Sequence, residues 1–407
     1  MTKTQRTRTA AVIGGGIAGT VTAIALREAG IEADVYEAYD YSADGVGAYL
    51  TVQVNGLAVL RELDLLRAID GLGFDTPRFT FHSGAGKLLG SMDTTGSRGD
   101  GLVTRTIRRA ELYQALRDEA GRRGVRIHYG KRLASYGDRP ESYKDTEHAD
   151  RATARFTDGT AAEADVLVGA DGLLSRMRTL IDPGAPRPRY VPLLNTGGYA
   201  GIDVGAEPGT MHMVFGREAF FCYMAAPGGQ TWWFANVPQQ AELTPAQLAV
   251  ANEGWRDRLL RTFAPDRVPA TTIIQATGDI LAPWNTYDFP RVPHWHRDRM
   301  IVIGDAAHAT SPTSGQGASM AMEDALVLAQ ALRDHPVPEA FTRYEAARRD
   351  RVEKIVADGN KKSGEKMPGP VGRIVRDAML PLVFRREARK PSTAWVVDHR
   401  IAWGATV

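Results

Sequence analysis

The sequence predicts an α/β fold: a doubly wound parallel sheet, interrupted by an inserted and mainly antiparallel β-sheet, and followed by C-terminal helices. Three observations carry this expectation. Apolar runs at Ala10–Ile13, in ADVLVGADG (Ala164–Gly172) and in RMIVIGDAA (Arg299–Ala307) each end in a turn rich in Gly or Asp. The first run is followed by a small-residue helix and a second strand, a βαβ unit that calls for a parallel sheet. From about residue 184 to 283 the helical period fades, and FFCYMAAPGGQTWWFANVP reads as two strands around a Pro-Gly-Gly turn.

Taken in order, AAVIGGGIAGTVTAIALREAGIEADVYEA gives a strand, a glycine turn, a helix to about Arg27 stopped by Gly30, and the strand ADVYE. NGLAVLRELDLLRAI and RRAELYQALRDEAGRRG repeat apolar residues at helical spacing, and VRIHYG then returns as a strand. FTFHSGAGKLLGSM, near Phe79, is β-like. The polar stretch from Asp138 to Ala152 is expected as an exposed hairpin or loop. TPAQLAVANEGWRDRLLRTF is the helical exception inside the β-rich region. After about Ala346 the chain is basic and helix-prone, broken by Pro368 and Pro370. The expected division assigns 1–73, 99–183 and 285–345 to one discontinuous α/β domain, and 74–98 with 184–284 to the β domain. Residues 346–407 form a helical segment.

Composition excludes several classes. With 407 residues the chain has room for two domains. A net charge of +2 is too small for an electrostatic nucleic-acid partner. The single cysteine, Cys222, cannot form an internal disulfide, which fits a reducing compartment. No stretch reaches eighteen apolar residues, so no membrane span is expected. Three glycines inside the first apolar run argue for strand and turn rather than a signal peptide. The expectation is a cytoplasmic monomer or homodimer without nucleic-acid or membrane partners.

Gly14, Gly16 and Gly19 form G-x-G-x-x-G between a strand and a helix. The first glycine permits the tight turn, the second leaves room for a pyrophosphate, and the third lets helix and strand pack closely. Phosphates then face the unpaired N–H groups at the positive end of the helix. Glu37 ends the second strand where a carboxylate can bind ribose hydroxyls. An adenine dinucleotide is the implied ligand. Far along the chain, Gly304-Asp305 ends a strand, and Pro312, Gly315 and Gly317 hold an extended loop that feeds a helix. A short acid there can bind a polyol, and bare N–H groups at Gly317, Ala318 and Ser319 can face a ring that gains negative charge.

GGGIAG, VGADGLLSRMR and IGDAAHATSPTSGQGASMAMEDA together resemble the fingerprints of the class A flavoprotein monooxygenases, the para-hydroxybenzoate hydroxylase-like family. The resemblance spans most of residues 10–345 and implies a Rossmann-like FAD domain of the GR2 type. It implies that Gly14, Gly16, Ile17, Ala18 and Gly19 cradle the pyrophosphate and that Glu37 binds the adenosine ribose. Gly47, Ala48, Arg109 and Leu133 would also contact FAD. Asp171 and Gly172 would stand near the pyrophosphate, and Asp305 would hold the ribityl chain. Pro312, Gly315 and Gly317 would form the flavin-face loop through their backbone, with Ala318 and Ser319 at the ring edge. His308 is expected to be structural. Ala38 replaces the basic residue that relatives often place after the ribose-binding acid, which leaves NADH and NADPH open.

The implied activity is NAD(P)H-consuming insertion of one oxygen atom of O2, through a flavin C4a-hydroperoxide, into an aromatic or polycyclic substrate. Hydroxylation is the first reading; epoxidation, another oxidation, or flavin oxidoreduction without oxygen insertion are the alternatives. No metal is implied. In the β hairpin, Phe220, Cys222 and Met224 share one parity, matched by Trp232 and Phe234. By family position Cys222, Met224, Trp232 and Phe234 would line the substrate pocket, whose apolar character suggests a bulky ring system without strong charge. Flavin-dependent halogenases share the first glycine fingerprint, but TWWFANVP lacks their Trp-x-Trp-x-Ile-Pro pattern. A redox-quiet FAD-binding partner protein would not need an intact flavin-edge loop.

Overall fold

The computed structural model describes residues 7–40, 48–137, 151–365, 369–389 and 394–407. The first layer is a six-stranded sheet in the order His296–Arg297, Met300–Val302, Val166–Gly169, Thr9–Ile13, Glu32–Tyr36, Ile127–His128. All its pairings are parallel except the short outer pair of His296–Arg297 with Met300–Val302. Val12, Val168 and Ile301 are fully buried, as strands covered on both faces must be. The expected glycine-ended strands therefore lie side by side, and their C-terminal turns share one edge. Helix Ile17–Glu28 packs against Gly317–Asp334. The latter is buried on every side from Ser319 to Leu332, the mark of a core helix.

A seven-stranded sheet forms the second layer, ordered Trp284–Asp288, Arg189–Ala200, Gln230–Pro238, Phe220–Ala226, Thr210–Phe215, Arg78–Ser83, Leu88–Asp93. It is antiparallel except where Arg78–Ser83 pairs with Thr210–Phe215; that strand enters from a remote part of the chain, so no tight turn dictates its direction. The hairpin register sets Cys222 opposite Phe234 and Met224 opposite Trp232. One face buries Phe221, Trp233 and Ala235 against Trp255, Leu259, Phe263 and Ile274 of the helices beside it. The other face carries Phe220, Cys222, Met224 and Trp232 with Phe79 and Met211.

Three details depart from the expected elements. The helix expected over Asn55–Ile69 is two pieces, Val54–Glu62 and the 3-10 turn Leu66–Ile69. Asp64, at φ 53, breaks it with a left-handed residue. Phe74–Asp75, placed with the β domain from sequence, pairs instead with Arg105–Arg108 in a three-stranded sheet with Tyr49–Val52 that bridges helix Gly317–Asp334 and the seven-stranded sheet. Helix Glu339–Glu365 runs through the expected boundary at residue 345 without a break, because Ala340, Phe341, Tyr344, Val352 and Ile355 form one buried stripe along it.

Most of the polar stretch expected as a hairpin or loop, residues 138–150, lies outside the described residues; Leu133–Gly137 and Ala152–Phe156 on either side pair antiparallel. Pro370 opens helix Pro370–Arg389, which lies on the edge strand Leu88–Asp93; its Phe384 stacks on Phe81 at 4.5 Å. The chain then returns to the first layer, where the Gln330 amide donates to the carbonyls of Ala402 and Trp403. Among the described residues no helix is long and apolar enough to cross a membrane.

Candidate active site

The glycine turn divides its labour as the spacing requires. Gly14 sits at φ 104, and a Cβ there would meet the Ala170 carbonyl oxygen at 2.4 Å. A Cβ on Gly19 would stand 1.9 Å from the Gly14 oxygen, so only glycine lets the helix lie this close to the strand. Gly16, between them, has nothing within 4 Å of its missing Cβ. That open position, together with helix Ile17–Glu28 whose N-terminus has no acid in its first turn and no side-chain cap, makes an anion cradle. Ile17 is buried and Ala18 half-buried at its mouth. Glu37 braces the turn: its Oε2 accepts from the Gly15 N–H at 2.7 Å and its Oε1 from the Tyr39 N–H at 3.0 Å.

Asp305 opens the short helix Asp305–His308 and is exposed among buried neighbours. A Cβ on Gly304 would lie 3.0 Å from Ala18 Cβ, so Asp305 and the glycine turn adjoin although they lie far apart along the chain. Beyond it, Pro312–Ser314 is a 3-10 turn with Pro312 exposed, and Gly315 is left-handed at φ 60. Helix Gly317–Asp334 then begins with no acid in its first turn and no side-chain cap. The Gly317 and Ala318 N–H groups thus face outward at a positive helix end. Ser319 is fully buried, and its Oγ accepts from the Gln53 N–H at 3.2 Å, a bracing role rather than an outward one.

A buried polar network holds this loop, and sequence reasoning did not find it. Gln53 Nε2 donates to the Gly315 carbonyl at 3.1 Å, and Gln316 Nε2 donates to Gln53 Oε1 at 2.6 Å. Asn55 Nδ2 bridges Gln316 Oε1 at 2.9 Å and Glu323 Oε1 at 2.7 Å. Glu323 and Asp324 are in turn clasped by the buried Arg348, at 2.6 and 2.8 Å, and Glu323 also by Arg351 at 2.8 Å. Burial alone would raise both acids, but Arg348 and Arg351 hold Glu323 down to about 2, and His308 and Arg348 hold Asp324 down to about 2. His308 is itself buried, its Nε2 2.5 Å from Asp324.

The remaining candidates scatter in role. Arg109 starts helix Arg109–Arg122, exposed, its guanidinium 5.8 Å from the Tyr113 ring centre; its N–H donates to the Ala48 carbonyl. Arg117, two turns on, stacks over the same ring at 5.7 Å and donates to the Gly15 carbonyl at 3.5 Å. The i, i+4, i+8 spacing of Arg109, Tyr113 and Arg117 was the available signal for it. Asp171 spends both carboxylate oxygens on its own loop, accepting from Ser175 Oγ at 2.5 Å and the Met177 N–H at 2.9 Å, and burial raises its pKa. Gly172, at φ 73, has open space beside it. Leu133 is buried at the start of its strand, and Gly47 lies outside the described residues.

Of the hairpin residues, Cys222 and Met224 have no exposed surface, Trp232 is 5% exposed and Phe234 is half-buried. The reason lies in the bridging sheet. Trp232 meets Phe74 at 5.1 Å and Tyr49 at 5.6 Å, so these rings roof the parity expected to line a pocket. Tyr199 closes on Trp232 at 5.2 Å. Burial beside Cys222 pushes the Tyr49 hydroxyl well above its usual range.

FAD fits this architecture on the structure's own terms. An open glycine position, an exposed acid next to it and a second uncapped helix end supply the surfaces that a pyrophosphate, a polyol and an electron-accepting ring need. The comparisons agree. The family model described as "FAD binding domain" matches residues 6–358. The chain is 33% identical over 367 residues to a FAD-dependent urate hydroxylase of Klebsiella pneumoniae subsp. pneumoniae, covering 87% of this chain and 89% of that one. It is 29% identical to the aurachin C monooxygenase/isomerase of Stigmatella aurantiaca, covering 86% and 87%. The crystal structure of Klebsiella pneumoniae HpxO complexed with FAD and uric acid superposes with a TM-score of 0.76 at 28% identity, covering 96% of this chain and 95% of that one. The chain belongs to the FAD-binding-domain family and, within it, to the class A FAD-dependent monooxygenases.

Proposed function

We propose that this enzyme uses NADH or NADPH and O2 to hydroxylate an aromatic or polycyclic small molecule held between the bridging sheet and the aromatic face of the seven-stranded sheet. When bound, FAD supplies electron transfer from the nicotinamide and the activation of O2. The chain's residues supply position and field. Gly14, Gly16 and Gly19, with the Ile17 and Ala18 N–H groups, would hold the pyrophosphate, Glu37 the adenosine ribose, and Asp305 the ribityl hydroxyls. Ala48, Arg109, Leu133, Asp171 and Gly172 would complete that cradle. Pro312, Gly315 and Gly317 would press bare backbone against the ring face and keep water out, and the helix end at Gly317–Ser319 would steady negative charge at the ring edge. Cys222, Met224, Trp232 and Phe234 would form the floor and wall of the substrate side. The expected division into a discontinuous FAD domain and an inserted β domain goes with this reading. The observation that carries it is the adjacency of the open Gly16 turn, Asp305 and the uncapped helix at Gly317.

Purified protein should be yellow and should oxidise reduced nicotinamide faster when its aromatic substrate is added. The product should gain one labelled oxygen from 18O2. Nicotinamide oxidation that yields only hydrogen peroxide with every aromatic tried would replace this reading by flavin oxidoreduction without oxygen insertion.

A further inference from the structure

Helix Pro370–Arg389 wears its amphipathic pattern inside out. Its charged residues Arg373, Arg376 and Asp377 are half-buried toward the protein. Arg373 donates to the Arg217 carbonyl, and Arg376 pairs with Asp377 at 2.8 Å and lies over the Phe215 ring at 4.8 Å. Phe384 stacks on Phe81 from the same side, and a Cβ on Gly90 would run into the Phe384 ring, so glycine in the strand beneath lets the helix seat closely. The outward face is apolar. Ile374, Ala378 and Leu382 follow at four-residue spacing, with Val375, Met379 and Val383 beside them. All six are exposed, Ile374 by 74% and Leu382 by 57%. No charge interrupts this face before Arg385 and Arg386, exposed at its end. Five of the eleven large apolar side chains exposed among the described residues lie here, and so contiguous a patch marks a surface with a partner.

Two features choose that partner. The stripe is short: Ile374 to Val383 spans about 15 Å of a helix about 10 Å across. That is a small part of the roughly 800 Å² per partner that a stable protein interface buries. The stripe also ends in positive charge, with Arg385 and Arg386 followed in sequence by Glu387, Arg389 and Lys390. Paired antiparallel with its own copy, the helix would set Arg385 and Arg386 against the partner's helix N-terminus, which is the positive end. Paired parallel, it would set arginine against arginine. An anionic lipid surface meets both features, because the apolar side chains enter the acyl boundary while the guanidinium groups stay among the headgroup phosphates. We infer that helix Pro370–Arg389 is an interfacial helix through which the enzyme docks reversibly on an anionic membrane surface. Ile374, Val375, Met379, Leu382 and Val383 enter the lipid, and Arg385 and Arg386 hold its phosphates. The expectation of no membrane partner came from the absence of a spanning run, and a helix lying in the interface needs none. Because charge contributes to the docking, salt weakens it.

The test is flotation of the FAD-loaded full-length protein with vesicles of phosphatidylcholine, alone or with one-third phosphatidylglycerol. The expected result is at least tenfold more protein floating with the anionic vesicles in dilute buffer, and a several-fold fall when salt is raised. Val375→Gln combined with Leu382→Gln should float with neither vesicle. It should keep the parent's melting temperature and FAD content, because both side chains are exposed in the free protein. Arg385→Gln combined with Arg386→Gln should lose the preference for anionic over neutral lipid. Parent protein that stays off the anionic vesicles, or a Val375 and Leu382 double variant that still floats with them, overturns the inference. Light scattering that gives a dimer for the parent and a monomer for that double variant also overturns it, and assigns the face to a second copy.

Discussion

Gly16 and Gly19 stand in the same turn, yet valine at the two positions should fail in opposite ways. At Gly16 the space is open, so Gly16→Val should fold, melting within about 2 °C of the parent, and lose its flavin spectrum because the side chain occupies the pyrophosphate's place. At Gly19 the new Cβ would collide with the Gly14 carbonyl, and overpacking here costs about 1–3 kcal/mol or more. Gly19→Val should therefore lower both melting temperature and soluble yield. Absorbance near the flavin band and a thermal melt on each variant decide it; a yellow Gly16→Val protein would misplace the cofactor. These glycines were legible because their demand is local, a fixed spacing between a strand and a helix. Gln53 was not. Nothing in TVQVNG marks it until strand Tyr49–Val52 pairs with Arg105–Arg108 and the turn that follows brings its amide to the Gly315 carbonyl.

Helix Gly317–Asp334 carries the clearest case of an element whose start was readable and whose support was not. Its glycine-rich entry shows in the sequence, but the arginines that neutralise Glu323 and Asp324 come from a helix more than twenty residues later. Only the packing of the two helices joins them. Arg348→Met should take one cationic partner from each of two buried carboxylates, leaving Glu323 with Arg351 and Asp324 with His308, and breaking such a buried pair costs about 3–5 kcal/mol. The melting temperature should fall by roughly 5–10 °C at neutral pH. The pH dependence has a definite sign. Both acids have folded-state values near 2, below their ordinary range, so their stabilisation is complete above about pH 4–5 and is lost as pH falls toward 2. Parent protein should lose stability steeply across that window. Arg348→Met, where only Arg351 and His308 still favour the ionised acids, should show a shallower slope, and parallel curves for the two proteins would refute the account.

At the scale of the whole molecule, the two sheets and their order along the chain could be read from residue texture, whereas the final residues could not be read at all. The sequence marks 346–407 as a basic, helical appendage. In the folded chain the stretch after Ala394 is a strap across the first layer, and what it offers is mostly backbone carbonyls, which leave no signature in side-chain pattern. Trp395 and Val396 accept from Arg351 at 2.7 and 2.8 Å; Ala402, Trp403 and Ala405 accept from the buried Gln330 amide. Arg400 joins Arg61 on Asp100, and the Trp403 N–H meets Glu62. A chain ending at Arg389 would leave Gln330 and Arg351 without those acceptors, at about 1–3 kcal/mol for each buried group left unmet. Because Arg351 also holds Glu323, and Glu323 holds Asn55 and through it Gln316, the damage should reach the flavin-edge loop. The truncated protein should melt about 5–10 °C lower and release FAD more readily on gel filtration in cofactor-free buffer. Gln330→Leu in the full-length chain separates the two effects: it removes the strap's buried donor but leaves the Arg351–Glu323 link, so it should cost stability with FAD retained. Truncated protein that melts with the parent and keeps its colour would show the strap to be packed on the core without bearing on the site.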